Sequence, residues 1–278
     1  MIGALREQVE AALRADLEQM GPPSRLREAC EYAVLSGGKR LRPMLVLCTA
    51  AALGNGDVMP VALAVEYFHT ASLIADDLPC MDDDDVRRSR PSLHRVFGES
   101  VALLASYTLI AAGYGGLCRD SGKGEVVARG LEAVTRCAGL RGATHGQYLD
   151  LFPPCHDVET ALQIIREKTT TLFEISLVLG WLYGGGDGER LEAVRRSAQQ
   201  LGMAFQIADD MDDAQQDARR GDSLNLVHLV GWARAREMFE AEMAGLERSW
   251  QQLGLWTEPF QMFVSSLRAM QGPLLALV

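Results

Sequence analysis

The stretch VMPVALAVEYFHTASLIADDLPCMD, residues 58–82, runs from apolar residues into a group of aspartates. The apolar side chains of residues 58–76 recur at helical spacing, and Pro60 suits the first turn of such a helix. Pro79 should end it, because the residue before a proline is pushed out of the α-helical region. The stretch therefore predicts a long apolar helix with carboxylates at its C-terminal end.

Two aspartates, Asp76 and Asp77, fall in the last turn of this helix, where the helix dipole disfavours negative charge. Asp82 follows on a turn that we expect to fold back beside them. Hard oxygen ligands of this kind suit Mg2+, which keeps bound water and shares phosphate oxygens. The alternative interpretation is an ordinary solvated acidic turn, and this segment alone does not exclude it.

The rest of the sequence is also predicted to be helical. Apolar residues repeat at intervals of three and four, and glycine and proline groups divide the chain into segments of helix length. We predict an all-α protein in which roughly ten or more helices form a single domain over residues 1–278. The uncharged residues 100–117 contain glycine, serine and tyrosine, which favours a helix buried in that domain over a membrane span.

A second acidic segment, GMAFQIADDMDDAQQD, covers residues 202–217. Asp209 and Asp213 are four residues apart and should project from one face of a helix. Their mutual repulsion is unfavourable unless a cation neutralises it. With the first segment, this one could hold a single diphosphate through several metal ions from opposite sides. A solvated acidic turn is again the alternative.

Basic residues follow a glycine pair in GGKRLRP, residues 37–43. Backbone N–H groups and basic side chains there could hold a second phosphate group. Arg87 and Arg88, just past the first acidic segment, add guanidinium groups that can bind phosphate through two hydrogen bonds. For the GGKR turn alone, a helix C-cap followed by a solvated basic turn is the simpler interpretation.

The composition limits the class of function. A formal net charge of −10 and a pI near 5.0 argue against nucleic acid as a ligand, because nucleic-acid binding needs basic patches. The six cysteines form no CxxC pair and the histidines do not cluster, so a zinc site is not predicted. Scattered cysteines favour reduced thiols in a cytoplasmic protein.

Six blocks of the sequence resemble the trans-prenyltransferase family, the short-chain isoprenyl diphosphate synthases that make farnesyl and geranylgeranyl diphosphate. In order they are GGKRLRP, HTASLIADDLPCMD, DDVRRSRPSLH, HGQYLD, EKTTTLFE and MAFQIADDMDD. The resemblance implies an all-α homodimer whose helices surround a deep central apolar cavity. It also implies a condensation of isopentenyl diphosphate with dimethylallyl, geranyl or farnesyl diphosphate that depends on Mg2+, three ions per active site.

The resemblance implies roles for particular residues. On this basis the magnesium ligands are Asp76, Asp77, Asp82, Asp209, Asp210 and Asp213. The isopentenyl diphosphate ligands are Lys39, Arg42, His69 and Arg88. The residues near the allylic substrate are Arg87 and Lys168 at its diphosphate, and Thr169 and Gln206 at the developing cation. Without the resemblance, a histidine in an apolar helix would be interpreted as a core residue.

Other functions stay open at this point. A class I terpene cyclase ionises a similar substrate, but it lacks the isopentenyl diphosphate site that GGKRLRP and Arg88 indicate. A non-catalytic regulatory subunit of a partner synthase is favoured by the segment ARRGDSLNLV, residues 218–227, which lacks a lysine that the family often has there. Two intact acidic segments count against that alternative.

The residues before Asp76 bear on product length. Ala71 and Ser72, five and four positions before Asp76, are small, so a fifteen-carbon chain should not be blocked there. Phe68 is the next candidate for the end of the cavity, and Tyr107 is a second candidate from a neighbouring helix. We therefore expect geranylgeranyl diphosphate as the main product, with a synthase limited to farnesyl diphosphate as the alternative.

Overall fold

The structure is a computed structural model that describes residues 2–55, 57–119, 124–220 and 224–269, with the backbone alone for 215–220. The regular structure in these ranges is almost entirely helical, so the predicted all-α class is confirmed. The α-helices are α1 (Ile2–Gln19), α2 (Arg25–Val34), α3 (Leu41–Ala52), α4 (Met59–Asp76), α5 (Leu93–Phe97), α6 (Glu99–Cys118), α7 (Gly124–Ala138), α8 (Ala143–Leu151), α9 (Val158–Ile164), α10 (Thr171–Tyr183), α11 (Leu191–Arg220), α12 (Leu226–Val230), α13 (Trp232–Leu253) and α14 (Glu258–Ala269).

The chain packs as two compact units. Unit 1 consists of Met1–Leu131 and Leu182–Gly185, and unit 2 consists of Glu132–Trp181 and Gly186–Val278. The prediction of one domain around a central cavity stays a prediction. In unit 1, a short antiparallel pair of strands, β1 (Val86–Arg87) and β2 (Arg90–Pro91), follows the first acidic segment.

Helix α4 carries the first acidic segment and is largely buried in unit 1. It has Pro60 in its first turn and ends at Asp76, as the sequence predicts. Helix α6 lies close against it because glycines leave room for the approach. A Cβ on Gly116 would lie 2.8 Å from the carbonyl oxygen of Pro60, and a Cβ on Gly113 would lie 2.6 Å from the Phe68 ring.

Helix α6 corrects one prediction. Residues 100–117 do form a helix, but one of its faces is exposed in unit 1. The exposed apolar residues of α6 are Leu103, Leu104, Tyr107 and Ile110, and we name them the α6 face. Because the helix is apolar on every side, its composition does not distinguish a core face from a surface face. In the described ranges, α6 is the one helix long and apolar enough to cross a membrane, with a mean hydropathy of 1.6.

Unit 2 contains the long helix α11, which packs along α13. Between α9 and α10 the chain forms a π-helical turn, Ile165–Thr170. Helix α11 lies directly against this turn, since a Cβ on Gly202 would lie 2.6 Å from the Cα of Thr170. The buried rings of Trp250 and Phe260 meet edge to face, with centroids 4.5 Å apart, and join α13 to α14.

Candidate active site

The first acidic segment adopts the predicted turn. Helix α4 ends at Asp76, and Asp77 is its C-cap residue. The chain then reverses, so that the backbone N–H of Asp82 donates to the carbonyl oxygen of Asp76 at 2.9 Å. Asp76 is half-buried and Asp82 is exposed. The reversal therefore places the third aspartate beside the end of the helix, where the dipole concentrates negative potential.

Asp77 differs from Asp76 and Asp82 because it is buried, with 3% of its surface exposed. Its Oδ1 accepts a hydrogen bond from Nε of Arg87 at 2.8 Å, and Nη2 of Arg87 contacts the same oxygen. Burial raises the pKa of Asp77, and the Arg87 guanidinium opposes that shift. Arg87, predicted at the allylic diphosphate, is thus held against the acidic segment by an ion pair.

Arg88 brings the two basic stretches together. It lies 51 residues from Gly37 in sequence, yet its Nη1 donates to the carbonyl oxygen of Gly37. Gly38 has a φ of +128°, and a Cβ there would lie 2.7 Å from Cζ of Arg88. Glycine suits this position because any other residue would be strained at that φ. We name Lys39, Arg42 and Arg88 the basic cluster.

The predicted histidine lies next to this cluster. Nη1 of Arg42 is 3.3 Å from Nε2 of His69. Burial lowers the pKa of Arg42 to about 10, and the charge of Arg88 adds to that shift. Burial and the Arg42 guanidinium hold the pKa of His69 well below its usual range. The imidazole is therefore neutral, and Nε2 can accept from Arg42 while Nδ1 carries the proton.

Arg40 and Glu66 support the basic cluster, and no role for Glu66 is predicted from the sequence. Arg40 is buried at a φ of +51°, and its guanidinium pairs with Glu66 and, at 2.7 Å, with Glu10 of α1. Burial lowers the pKa of Arg42 and of Arg88, and the charge of Glu66, itself 1% exposed, opposes both shifts. A single acid inside an apolar helix is the sequence signal that points to a buried ion pair of this kind.

In unit 2 the second acidic segment lies on α11, and its three aspartates differ in exposure. Asp209 is half-buried, Asp213 is exposed and Asp210 is 9% exposed. Oδ1 of Asp210 accepts from Nε2 of Gln206 at 2.8 Å, and Oδ2 accepts from the backbone N–H of Leu226 at 2.9 Å. The prediction that Asp209 and Asp213 lie one turn apart on one helix is confirmed.

Lys168 and Thr169 lie in the π-helical turn. Such turns are rare and are frequently found at functional sites. Lys168 pairs with Asp150 of α8, and Oγ1 of Thr169 donates to Oε1 of Gln206 at 2.9 Å. Helix α8 reaches this turn because Gly146 has no side chain: a Cβ there would lie 2.2 Å from the backbone nitrogen of Lys168.

Helix α4 also places the residues predicted to control product length. Phe68, Ser72 and Asp76 are half-buried and follow one another at four-residue steps, so they share one face of the helix. Ala71 is 1% exposed, and its carbonyl oxygen accepts from Oγ of Ser106 on α6 at 2.9 Å. Of the two small residues, Ser72 and not Ala71 shares the face of Asp76.

The expected role of Tyr107 at the end of the cavity does not fit the structure. Tyr107 lies on the α6 face and is 58% exposed. The ring of Phe68 meets Tyr114 instead, edge to face, with centroids 5.2 Å apart. Phe68 is therefore held by Gly113 and Tyr114 of α6, and Tyr107 turns away from that contact.

The acidic segments fit magnesium only in combination with a phosphate ligand. Within the described ranges, no three side chains of His, Cys, Asp or Glu come together as a ready-made metal site. Magnesium usually binds a protein through one or two carboxylates and completes its coordination with water and substrate phosphates. Asp76, Asp82 and Asp213 suit that mode of binding, since each has surface open to solvent.

The family model described as polyprenyl synthetase matches residues 23–222. The chain belongs to the polyprenyl synthetase family. It is 36% identical over 251 residues to heterodimeric geranylgeranyl pyrophosphate synthase large subunit 2 of Arabidopsis thaliana, and the match covers 87% of this chain and 65% of that protein. A putative chloroplastic geranylgeranyl pyrophosphate synthase 8 of the same plant is also 36% identical, over 84% of this chain and 70% of its own length. This chain thus spans about two thirds of these relatives.

Solved structures extend the likeness to nearly the whole polyprenyl synthetase chain. An FPP/GFPP synthase from Zymomonas mobilis is 29% identical, with a TM-score of 0.85 over 98% of this chain and 99% of that one. A geranyltranstransferase from Thermotoga maritima is also 29% identical, with a TM-score of 0.80 over 97% of each chain. The segment ARRGDS, where the family often has a lysine, lies outside the residues whose side chains the structure describes.

Proposed function

We propose that this protein is a trans-prenyltransferase that joins isopentenyl diphosphate head to tail with an allylic diphosphate. The observation that carries the proposal is the basic cluster, which unit 1 assembles around Gly37 and Gly38 in addition to the acidic turn. A terpene cyclase ionises one diphosphate substrate and needs no second site of this kind. The relatives named geranylgeranyl pyrophosphate synthases support the same activity.

In this proposal the basic cluster binds the diphosphate of isopentenyl diphosphate. The guanidinium groups of Arg42 and Arg88 and the exposed ammonium of Lys39 donate to phosphate oxygens. Neutral His69 holds Arg42 from the side without adding a positive charge. The buried carboxylate of Glu66 stabilises the closely spaced cations while the site is empty of substrate.

The allylic diphosphate is bound by Arg87, Lys168 and magnesium. The proposed magnesium ligands are Asp76, Asp77, Asp82, Asp209 and Asp213. When bound, magnesium, proposed as three ions, neutralises the charge of the leaving diphosphate. We propose a different role for Asp210, because both of its carboxylate oxygens accept hydrogen bonds from N–H groups of the protein.

The chemical step follows from these roles. The carbon–oxygen bond of the allylic substrate breaks, and diphosphate leaves with the electron pair. Oxygen atoms of Thr169 and Gln206 stabilise the positive charge that develops on the allylic carbons. The double bond of isopentenyl diphosphate then forms the new carbon–carbon bond, and the released diphosphate accepts the proton lost from the product.

We propose geranylgeranyl diphosphate as the main product, ahead of farnesyl diphosphate. The small side chain of Ser72, one turn from Asp76 on the same face of α4, leaves room for a chain longer than fifteen carbons. Phe68, eight residues from Asp76, lies about 12 Å along the helix axis and would end the cavity. Relatives named for the twenty-carbon product support this choice.

We also propose a cytoplasmic homodimer that forms through the α6 face. The exposed Leu104 and Tyr107 form the centre of an apolar surface that a second copy could cover. The three buried cysteines, Cys30, Cys48 and Cys137, are free thiols, which suits a reducing compartment. One relative is named as the large subunit of a heterodimer, so a different partner chain is the alternative.

The test is incubation of the purified protein with isopentenyl diphosphate, each allylic primer and Mg2+, followed by chromatography of the products. We expect prenyl diphosphates of up to twenty carbons. A cyclic hydrocarbon as the product would support the terpene cyclase. No product with any primer, from protein whose melting temperature rises with substrate, would support the non-catalytic regulatory subunit.

A further inference from the structure

A chain of hydrogen bonds in unit 2 links the π-helical turn to the start of α12. Oγ1 of Thr169 donates to Oε1 of Gln206 at 2.9 Å, and Nε2 of Gln206 donates to Oδ1 of Asp210 at 2.8 Å. Oδ2 of Asp210 accepts from the backbone N–H of Leu226 at 2.9 Å. Thr169 and Gln206 are predicted to lie near the allylic cation, and Asp210 is a predicted metal ligand.

The Asp210 carboxylate fixes the direction of every hydrogen bond in this series. A carboxylate has no proton to donate, so the amide nitrogen of Gln206 must face Asp210. The amide oxygen of Gln206 then faces Thr169, and the Thr169 hydroxyl must donate its proton to that oxygen. With its proton committed, the Thr169 hydroxyl offers only oxygen lone pairs to any other neighbour.

Asp210 can fix the direction of these hydrogen bonds because its own position is fixed by contacts with the start of α12. It is 9% exposed, and its backbone carbonyl oxygen accepts from Nδ2 of Asn225 at 2.8 Å. Oδ1 of Asn225 accepts from the backbone N–H of Val227, so the same asparagine caps α12. The α12 N-terminus and Asp210 therefore fix each other.

From this geometry we infer that Asp210 is a positioning residue: it orients Gln206 and Thr169 so that the Thr169 oxygen presents lone pairs to the developing allylic cation. The inference rests on the proposed function. It assigns Asp210 a role different from that of Asp209, although the two are adjacent in the sequence. An asparagine at 210 could donate as well as accept, and it would no longer dictate which end of the Gln206 amide faces Thr169.

The decisive experiment is Asp210→Asn, measured for kcat, both KM values and the Mg2+ concentration that gives half-maximal rate. We expect kcat to fall on the order of tenfold to a hundredfold, as for loss of one oriented polar contact to a charged transition state. The KM values and the Mg2+ requirement should stay as in the wild type. A kcat that recovers at high Mg2+ would show that Asp210 is a metal ligand and would overturn the inference.

Asp212→Asn is the matched control, because it removes the same charge from an exposed position two residues away. It should leave all four parameters unchanged. The variant Gln206→Met cuts the chain of hydrogen bonds without touching Asp210, so it covers the case in which Asp210→Asn fails to fold. It should lower kcat as Asp210→Asn does, and an unchanged kcat in Gln206→Met would contradict the inference.

Two further measurements separate this inference from the proposed function. Thr169→Val should lower kcat, and the double variant with Asp210→Asn should lose clearly less than the sum of the two single losses, since Asp210 acts in part through the Thr169 hydroxyl. Additive losses would contradict the inference. The rise in melting temperature caused by Mg2+ with inorganic diphosphate should be equal in wild type and Asp210→Asn. A wild-type protein without prenyl products would contradict the proposed function instead.

Discussion

At the residue scale, Lys39 and Arg42 test our proposal that isopentenyl diphosphate has a binding site of its own. Both belong to the basic cluster, and Nη1 of Arg42 contacts Nε2 of His69 there. Lys39→Ala and Arg42→Ala should raise the KM for isopentenyl diphosphate roughly tenfold to a hundredfold, the cost of one charge-assisted hydrogen bond. The KM for the allylic primer should change much less. Steady-state kinetics with each substrate varied in turn checks this.

Arg95→Ala is the control for those variants, because the Arg95 side chain is 58% exposed and pairs with an exposed aspartate. It should leave both KM values as they are. Equal increases for the two substrates in Lys39→Ala or Arg42→Ala would mean that the basic cluster does not belong to isopentenyl diphosphate.

His69 should make the stability of the protein depend on pH. Its pKa is held well below that of a histidine in the unfolded chain, about 6.5. Below pH 6.5 the unfolded state therefore binds a proton that the folded state does not, and the free energy of unfolding falls as the pH falls. The loss should begin as the pH falls through 6.5 and continue until the folded state also binds the proton.

Urea unfolding of wild type and His69→Gln over this pH range measures the contribution of the histidine. The variant should show a shallower dependence on pH, and His156→Gln, at an exposed position, serves as the control. A wild type and a His69→Gln variant with the same slope would show that His69 is not held neutral in the folded protein.

The sequence predicts local turns better than it predicts contacts between distant residues. The turn that returns Asp82 to Asp76 follows from a local signal, the proline after the helix. Asp209 and Asp210 look alike in the sequence, and the sequence does not show that Gln206 and a backbone N–H from α12 donate to Asp210. The pairing of Arg40 with Glu66 cannot be predicted from the sequence either, because it depends on how α3 and α4 pack against each other.

At the element scale, the packing of α4 against α6 decides product length in our proposal. Ser72→Phe puts an aromatic ring one turn from Asp76 on the same face, and it should shift the main product to farnesyl diphosphate. Phe68→Ala removes the ring that lies against Gly113 and should lengthen the product. Chromatography of products made with excess isopentenyl diphosphate checks both.

Ala71→Phe is the matched comparison for Ser72→Phe, because it adds the same ring at the neighbouring residue. Ala71 packs against α6, so a phenylalanine there should mainly overpack the core and cost about 1–3 kcal/mol of stability. If Ala71→Phe shortened the product while Ser72→Phe did not, our assignment of the cavity-lining face of α4 would be wrong.

Whole elements are predictable from sequence when their limits are local. Pro60 and Pro79 mark the ends of α4 in the sequence, and the structure agrees. The burial of α6 could not be predicted, because a helix that is apolar on all sides carries no directional signal. The π-helical turn depends on close approach by Gly146 and Gly202 from two other helices, and such contacts leave no local pattern.

At the scale of the whole molecule, the α6 face makes self-association testable. Wild-type protein should show a mass twice the 30.4 kDa of the chain in analytical ultracentrifugation. The double variant Leu104→Glu with Tyr107→Glu should sediment as a monomer, because two buried charges in an apolar contact are costly. Met262→Glu, at an exposed apolar position on α14, should stay dimeric. A wild type that is monomeric at all concentrations would contradict the homodimer.

The π-helical turn bears on how this chain can change over evolutionary time. A π turn amounts to one extra residue within an α-helix. Deletion of a single codon between positions 165 and 170 would join α9 and α10 into one regular helix. The buried face of each helix would stay buried. The residues of the turn itself would rotate by about 100° per residue lost, carrying Lys168 and Thr169 away from Asp150 and Gln206. A lineage could thus lose the reaction that we propose in one mutational step and still inherit a stable fold.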